Sequence, residues 1–195
     1  RMCRMMPFWR RLLEQAGIKP LMLHIHRNPL EVAGSLEQRE GWPFAYGLLL
    51  WLRHVLDAEA GTRGMGRYFT SYGRIVKNWA GAAAAMQTQF GMTFPRLSDS
   101  VSWEIENFLS DDLRNQFEPA EKISSNPLIS HWIRAAFDVF EAWAETGENP
   151  ADYATLDKIR AEFNVAAPMF GKLIQVARLS GKEAVARQAL EARNH

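Results

Sequence analysis

Residues 21–35 (LMLHIHRNPLEVAGS) constrain the fold more than any other stretch, because a short strand passes there directly into a helix. Apolar side chains alternate over the first positions, which predicts a strand over residues 21–27. Asn28 is a suitable N-cap, Pro29 suits the first helical position, and Glu31 stands where a capping acid reaches back. A helix is therefore expected over residues 29–39, starting immediately after the strand.

This junction also predicts an anion site. Arg27 ends the strand, and its guanidinium fork matches a phosphate group. The first turn of the following helix points backbone N–H groups and the positive end of its dipole past the carboxyl end of the strand. Ser35 lies about two turns into the helix, so its hydroxyl reaches the same anion only if the ligand lies along the helix. We expect the phosphate to belong to a nucleotide.

A second strand and helix follow the first pair. Apolar residues at helical spacing predict a long helix over residues 44–60, and a strand over residues 67–72 and a helix over residues 74–90 come next. Helices are also expected over 3–16, 100–109, 128–145, 151–163 and 165–192, with a helical turn at 111–116 and a flexible crossing at 124–127. Alternation of strands and helices indicates a parallel sheet with covering helices.

Two parallel strands alone are too few for a stable sheet, because such strands need partners and coverage on both faces. The expected fold is therefore an α/β domain that is only partly contained in this chain. Residues 1–116 form that part, and residues 117–195 form a mainly helical extension.

The segment RNPLEVAGS resembles the part of sulfotransferases that binds the 3′-phosphate of 3′-phosphoadenosine 5′-phosphosulfate (PAPS), the sulfuryl donor. The segments GLLLWLRHVLDAEAGTRG and RYFTSYGRIVKNW resemble, in the same order, a helix, strand and helix start of bacterial sulfotransferases. The resemblance implies a parallel sheet of the phosphate-loop (P-loop) nucleotide-binding type. It also implies that Arg27 and Ser35 bind the 3′-phosphate and that Arg114, in DDLRNQ, closes over the donor.

The glycine-rich loop that holds the 5′-phosphosulfate in that family has no counterpart here. GTRGMGR (residues 61–67) precedes a strand instead of following one, so it lacks the strand–loop–helix context of a phosphate cradle. We therefore expect this chain to be the C-terminal part of a longer sulfotransferase. The family's base usually follows the missing loop, so the sequence names no catalytic base; His26, beside Arg27, is the best local candidate.

Composition limits the other classes of function. A net charge of +1 gives no general electrostatic case for binding nucleic acid. No apolar run approaches the roughly 20 residues of a membrane span. The single cysteine, Cys3, excludes an internal disulfide framework and fits a reducing, cytoplasmic location. The apolar stripes of the C-terminal helices suit a core or a homodimer interface equally well.

Two other sets of residues have functional and structural interpretations. His24 and His26 share one strand face, but no Cys, Asp or Glu lies nearby to complete a metal shell, so no metal site is expected. Arg53 and Arg63 face the donor or an acidic acceptor in the functional interpretation. In the simpler one they form helix-face ion pairs, such as Arg53 with Asp57.

The sequence thus predicts transfer of a sulfuryl group from PAPS to a hydroxyl acceptor, with carbohydrates as one candidate class and with no metal required. The alternatives are a degenerate, non-enzymatic interaction module and a nucleotide-dependent small-molecule kinase. A kinase would need a Gly-Lys-Ser/Thr loop and magnesium ligands.

Overall fold

The structure, a computed structural model, describes residues 2–109, 121–127 and 129–193. In these ranges the protein is mainly helical and contains a small parallel sheet of two strands, β1 and β2. The strands are Leu21–His26 (β1) and Gly66–Ser71 (β2). The α-helices are Met6–Gln15 (α1), Pro29–Glu40 (α2), Phe44–Thr62 (α3), Tyr72–Lys77 (α4), Trp79–Phe90 (α5), Asp99–Phe108 (α6), Glu121–Ser125 (α7), His131–Thr146 (α8) and Tyr153–Arg193 (α9). Single turns of 3₁₀-helix cover Met2–Met5 and Pro150–Asp152.

The two strands pair in parallel with Leu21 opposite Gly66 and His26 opposite Ser71. Helices α2 and α3 connect them, so the expected strand–helix–strand order is confirmed. The finer expectation of a phosphate-loop type sheet stays a prediction, because two strands are common to many mixed folds.

Two predicted helices differ from the observed ones. The helix expected over residues 74–90 is divided at Asn78, whose side-chain oxygen accepts a hydrogen bond from Gly81 N at 2.9 Å and so caps α5. The helices expected over 151–163 and 165–192 form the single helix α9. Asn164, the residue between them, does not cap a new helix because its side chain accepts a hydrogen bond from Arg53 at 2.6 Å.

One face of the sheet is covered by α3 and α8, and the core lies there. The periodicity of α3 correctly predicts its inward face, on which Leu48, Leu52 and Leu56 are buried. The aromatic stripe predicted on α8 also packs inward, with Phe137, Phe140 and Trp143 buried and Trp132 half-buried. Three residues of α9 complete this core: Leu156, Ile159 and Phe163.

Helices α8 and α9 thus share a core with the sheet. The expected boundary at residue 116 and the helical turn at residues 111–116 lie outside the described residues. The crossing expected at residues 124–127 instead begins within helix α7, which ends at Ser125. Among the helices that the structure describes, none is long and apolar enough to cross a membrane.

Candidate functional site

The carboxyl ends of both strands meet at one edge of the sheet, and each strand passes directly into a helix there. Asn28 caps α2 by accepting a hydrogen bond from Leu30 N at 2.9 Å. Ser71 caps α4 by accepting one from Arg74 N at 3.3 Å. In open parallel sheets, ligands bind beyond the carboxyl ends of the strands, so a ligand site is expected at this edge.

Arg27 lies at this edge and has a defined position. Its Nε donates a hydrogen bond to Glu31 Oε2 at 2.6 Å, and its guanidinium carbon lies 4.6 Å from the centre of the Tyr72 ring. Its carbonyl oxygen accepts a hydrogen bond from Trp51 Nε1 at 2.8 Å. The side chain is 28% exposed, whereas that of Glu31 is 6% exposed. The guanidinium is therefore partly open to solvent and extends along the first turn of α2.

Ser35 lies on the same face of α2 as this guanidinium. Residues 31 and 35 are one helical turn apart and are neighbours on the helix surface. Arg27 and Ser35 are thus arranged along one face of the helix, with the Glu31 carboxylate between them. This is the geometry in which one elongated ligand reaches both residues, although an anion would compete with Glu31 for Arg27. Arg114, the third predicted binding residue, lies outside the described residues.

A second cation, Arg74, follows β2 at this edge. Its side chain is 42% exposed and lies 3.6 Å from Glu145 of α8. An ion pair this exposed contributes little to stability, because water screens it. Sequence reasoning did not identify Arg74, although its place three residues after the second strand is analogous to that of a ligand-binding residue.

His26 is buried beneath this edge. Its Nε2 lies 2.6 Å from Glu141 Oε1, and its ring contacts Phe137 and Phe140. The hydrogen bond from His26 is the main reason why the pKa of Glu141 is lowered. The Nδ1 atom is fully buried and has no hydrogen-bond partner among the described residues. A substrate therefore reaches neither ring nitrogen without a movement, and the assignment of His26 as a base stays a prediction.

His24, two positions earlier on the same strand face, is held in one tautomer. Thr62 Oγ1 donates to Ala58 O at 2.8 Å, so it accepts from His24 Nε2 at 2.9 Å. The ring stacks on Phe69 with centroids 4.5 Å apart. Burial, assisted by the positive charge of Arg67, lowers the pKa of His24 to about 4. Within the described ranges, no three His, Cys, Asp or Glu side chains are grouped closely enough to hold a metal ion.

Arg53 and Arg63, the two arginines with alternative interpretations, both form ion pairs. Arg53 lies 3.6 Å from Asp57, as the simpler interpretation predicts. Arg63 pairs with Glu59 at 2.7 Å and with Asp157 at 2.8 Å, and the hydrogen bond to Glu59 is the main reason why its pKa is raised. These contacts connect α3 to itself and to α9.

A buried charged cluster around Arg67 was not predicted. Arg67 is 5% exposed; it lies 3.2 Å from Glu59 Oε1, pairs with Glu148, and lies 3.0 Å from the Tyr153 hydroxyl. The only sequence signal was the acidic residue Glu59 on the inward face of the long apolar helix. The cluster joins β2, α3 and the turn before α9, and such buried pairs commonly have a structural role.

Comparisons of this chain with protein-family models, with curated proteins and with solved structures give no match. Function is therefore inferred from the site itself and from the resemblance of its segments.

Proposed function

We propose that this chain binds the 3′-phosphate of an adenine nucleotide at the carboxyl edge of its sheet, as part of an enzyme that transfers a sulfuryl group from PAPS to a hydroxyl acceptor. The observation that carries the proposal is the position of Arg27. It follows a parallel strand, precedes the capped start of α2, and extends along the helix face that bears Ser35. The resemblance of the surrounding residues supplies the identity of the nucleotide.

The cationic groups at this edge favour an anionic ligand that displaces a carboxylate, since Arg27 is paired with Glu31 and Arg74 with Glu145. Arg27 and Arg74 are both partly exposed at the edge. The N-terminus of α2, a helix of 12 residues, adds a positive dipole end and backbone N–H groups. Tyr72 fixes the Arg27 guanidinium from one side, which lowers the entropy lost when a phosphate binds.

In the proposed reaction a base removes the proton of the acceptor hydroxyl, and the sulfuryl group passes in line from the donor to that oxygen. Adenosine 3′,5′-bisphosphate leaves, and positive charge stabilises its developing phosphate oxygen. Arg27 and Ser35 contact the 3′-phosphate, remote from the transferred group. They therefore set the affinity for the donor and do not take part in bond making.

The test is calorimetric titration of the chain with adenosine 3′,5′-bisphosphate and with adenosine 5′-monophosphate. We expect binding that requires the 3′-phosphate. Arg27→Ala is expected to weaken it by roughly 1.5–3 kcal/mol, the range for a hydrogen bond to a charged group. Arg39→Ala is the matched control, because Arg39 is on the same helix, pairs with Glu40 and is 68% exposed.

Glu31→Gln gives a second, opposite expectation. It removes the carboxylate that competes with phosphate for Arg27, so the bisphosphate is expected to bind more tightly. Equal binding of the two nucleotides, or unchanged binding in a folded Arg27→Ala variant, would contradict the proposal.

An interaction module is the second candidate function, and a groove between α5 and α6 favours it. The groove has a volume of about 500 Å³ and is lined almost entirely by apolar residues, among them Trp79, Met86 and Phe94. Trp103 and Phe108, on the same α6, are 68% and 75% exposed. Failure of both nucleotides to bind a folded chain would favour this alternative.

A further inference from the structure

A cavity of about 240 Å³ lies between β1, α3 and the first 3₁₀ turn, and the core residues Phe69 and Phe140 line it. Three histidines, His24, His26 and His54, also line the cavity. Among the described residues that form its walls, none is acidic and none is a lysine or an arginine. The polar side-chain atoms of the walls are therefore the imidazole nitrogens and the thiol of Cys3.

Hydrogen bonds within the protein determine which nitrogen of His24 carries the hydrogen. Nε2 donates to Thr62 Oγ1 at 2.9 Å, because the hydroxyl hydrogen of Thr62 is directed to Ala58 O. Burial lowers the pKa of this imidazole to about 4, so the ring is neutral at physiological pH. Nδ1 is thus a hydrogen-bond acceptor, and it has no partner within the described residues.

His54 is fixed in the opposite tautomer. Its Nδ1 lies 2.7 Å from Leu50 O, one helical turn earlier, and a carbonyl oxygen only accepts, so Nδ1 donates. In the neutral ring Nε2 is then the acceptor, and it too lacks a partner in the part of the chain that the structure describes. Neither His24 Nδ1 nor His54 Nε2 is among the fully buried polar atoms. Both therefore remain accessible to a molecule in the cavity that their rings line.

His26 differs from the other two histidines, because neither of its nitrogens is available. Nε2 is bound to Glu141 at 2.6 Å, and Nδ1 is fully buried. The side chains of the cavity thus present two acceptors and, apart from the weak thiol of Cys3, no donor. A molecule with O–H groups would satisfy these two acceptors.

The charges around the cavity disfavour an ionic ligand. The described walls carry no carboxylate to pair with an ammonium group, and the positive charge of Arg67 acts on His24. An anion would face two nitrogen lone pairs and no cationic wall residue. The histidines are not grouped closely enough with other ligands, within the described ranges, to hold a metal ion.

We propose that this cavity binds a small, neutral molecule with two hydroxyl groups on an apolar body. The hydroxyl groups donate to His24 Nδ1 and His54 Nε2, and the body packs against the apolar walls, among them Phe69, Phe140 and Val55. The volume is below the roughly 300 Å³ at which pockets for drug-sized ligands begin, so the ligand is small.

The proposal is independent of the nucleotide site, because the cavity lies between β1 and α3 and not beyond the carboxyl ends of the strands. It also holds whichever element pairs with the second edge of β1, since both acceptors belong to the walls between the sheet and α3.

The probe is trans-cyclohexane-1,4-diol. The matched control is cyclohexane-1,4-dione, which has the same carbon frame and two oxygen acceptors but no O–H donor. Imidazole nitrogen shifts are followed by NMR at pH 8, above the ordinary histidine pKa of about 6.5. We expect the diol, and not the dione, to shift the free nitrogens of His24 and His54 and to slow alkylation of Cys3, the only cysteine of the chain. His131, whose side chain is 79% exposed, is the internal reference and is expected not to change.

His54→Phe keeps an aromatic ring but removes one acceptor, so it is expected to weaken binding of the diol about tenfold. His131→Phe is the matched control and is expected to leave binding unchanged.

Three results would overturn the proposal. They are equal shifts with diol and dione, undiminished binding of the diol by a folded His54→Phe variant, and no shift in the native chain at about 10 mM diol. That concentration is ten times the dissociation constant of roughly 1 mM expected for so small a ligand, so the last result would assign only water to the cavity. The titration of the native chain decides the question even if His54→Phe does not fold.

Discussion

Acid is expected to destabilise this protein through His24. The pKa of this buried imidazole is lowered to about 4 from its ordinary value of 6.5. Between these two values the unfolded chain binds a proton at His24 and the folded chain does not. Unfolding then takes up a proton, so the free energy of unfolding falls as the pH falls. The contribution of the neutral imidazole is fully present above pH 6.5 and is lost by about pH 4.

The size of the effect follows from the same two pKa values. The gap of about 2.5 pKa units between them, at about 1.4 kcal/mol per unit, corresponds to a loss of about 3.5 kcal/mol on full protonation, of which about 3 kcal/mol is reached at pH 4. This loss is a large part of the free energy of unfolding of a typical natural domain, which is roughly 5–15 kcal/mol. The cause is structural: protonation would place a charge on a buried ring that stacks on Phe69, and the positive charge of Arg67 would repel it.

The assay is urea unfolding between pH 7 and pH 4 for the native chain and for His24→Gln. The glutamine can still donate to Thr62 but does not titrate, so we expect its loss of stability on acidification to be smaller by about 3 kcal/mol. His131→Gln, whose native side chain is 79% exposed, is the control and should follow the native curve. Equal pH dependence in the native and His24→Gln proteins would refute the reasoning, as would an NMR titration of folded His24 near its ordinary pKa.

Three further substitutions test other parts of the structure by urea unfolding at pH 7, and each cost below is a decrease in the free energy of unfolding. Arg67→Met should cost roughly 3–5 kcal/mol because it leaves the buried Glu59 carboxylate without its innermost partner. A cost below about 1 kcal/mol would show that Arg63 alone compensates for the loss of Arg67. Gly47→Val should cost roughly 1–3 kcal/mol or more, since a Cβ at this position would lie 2.7 Å from Ala33 Cα where α2 and α3 pack together. Asn78→Ala should cost about 1 kcal/mol through loss of the α5 cap, and an unchanged midpoint would contradict the cap.

Local patterns were sufficient to predict the elements around the candidate site. The strand predicted at residues 21–27 is observed at Leu21–His26, and the helix predicted to start at Pro29 does so, because alternation, an N-cap and a proline act within a few residues of each other. The prediction of one helix over residues 74–90 was wrong, because Asn78 acts as a cap in a segment whose alanines have high helix propensity. The prediction of a helix break near Asn164 was wrong because a residue of another helix occupies its side chain.

By itself the sequence determined which residues are strand, helix and core face, and it placed Arg27 and Ser35 on either side of one helix start. Only the tertiary structure decided the partners of the polar side chains: Glu31 and Tyr72 for Arg27, Glu141 for His26, and Glu59 with Glu148 for Arg67. Periodicity specifies the direction in which a side chain leaves its own helix or strand. Burial, pKa and ion pairing depend on groups that are far away in the chain and become neighbours only when the helices pack against the sheet.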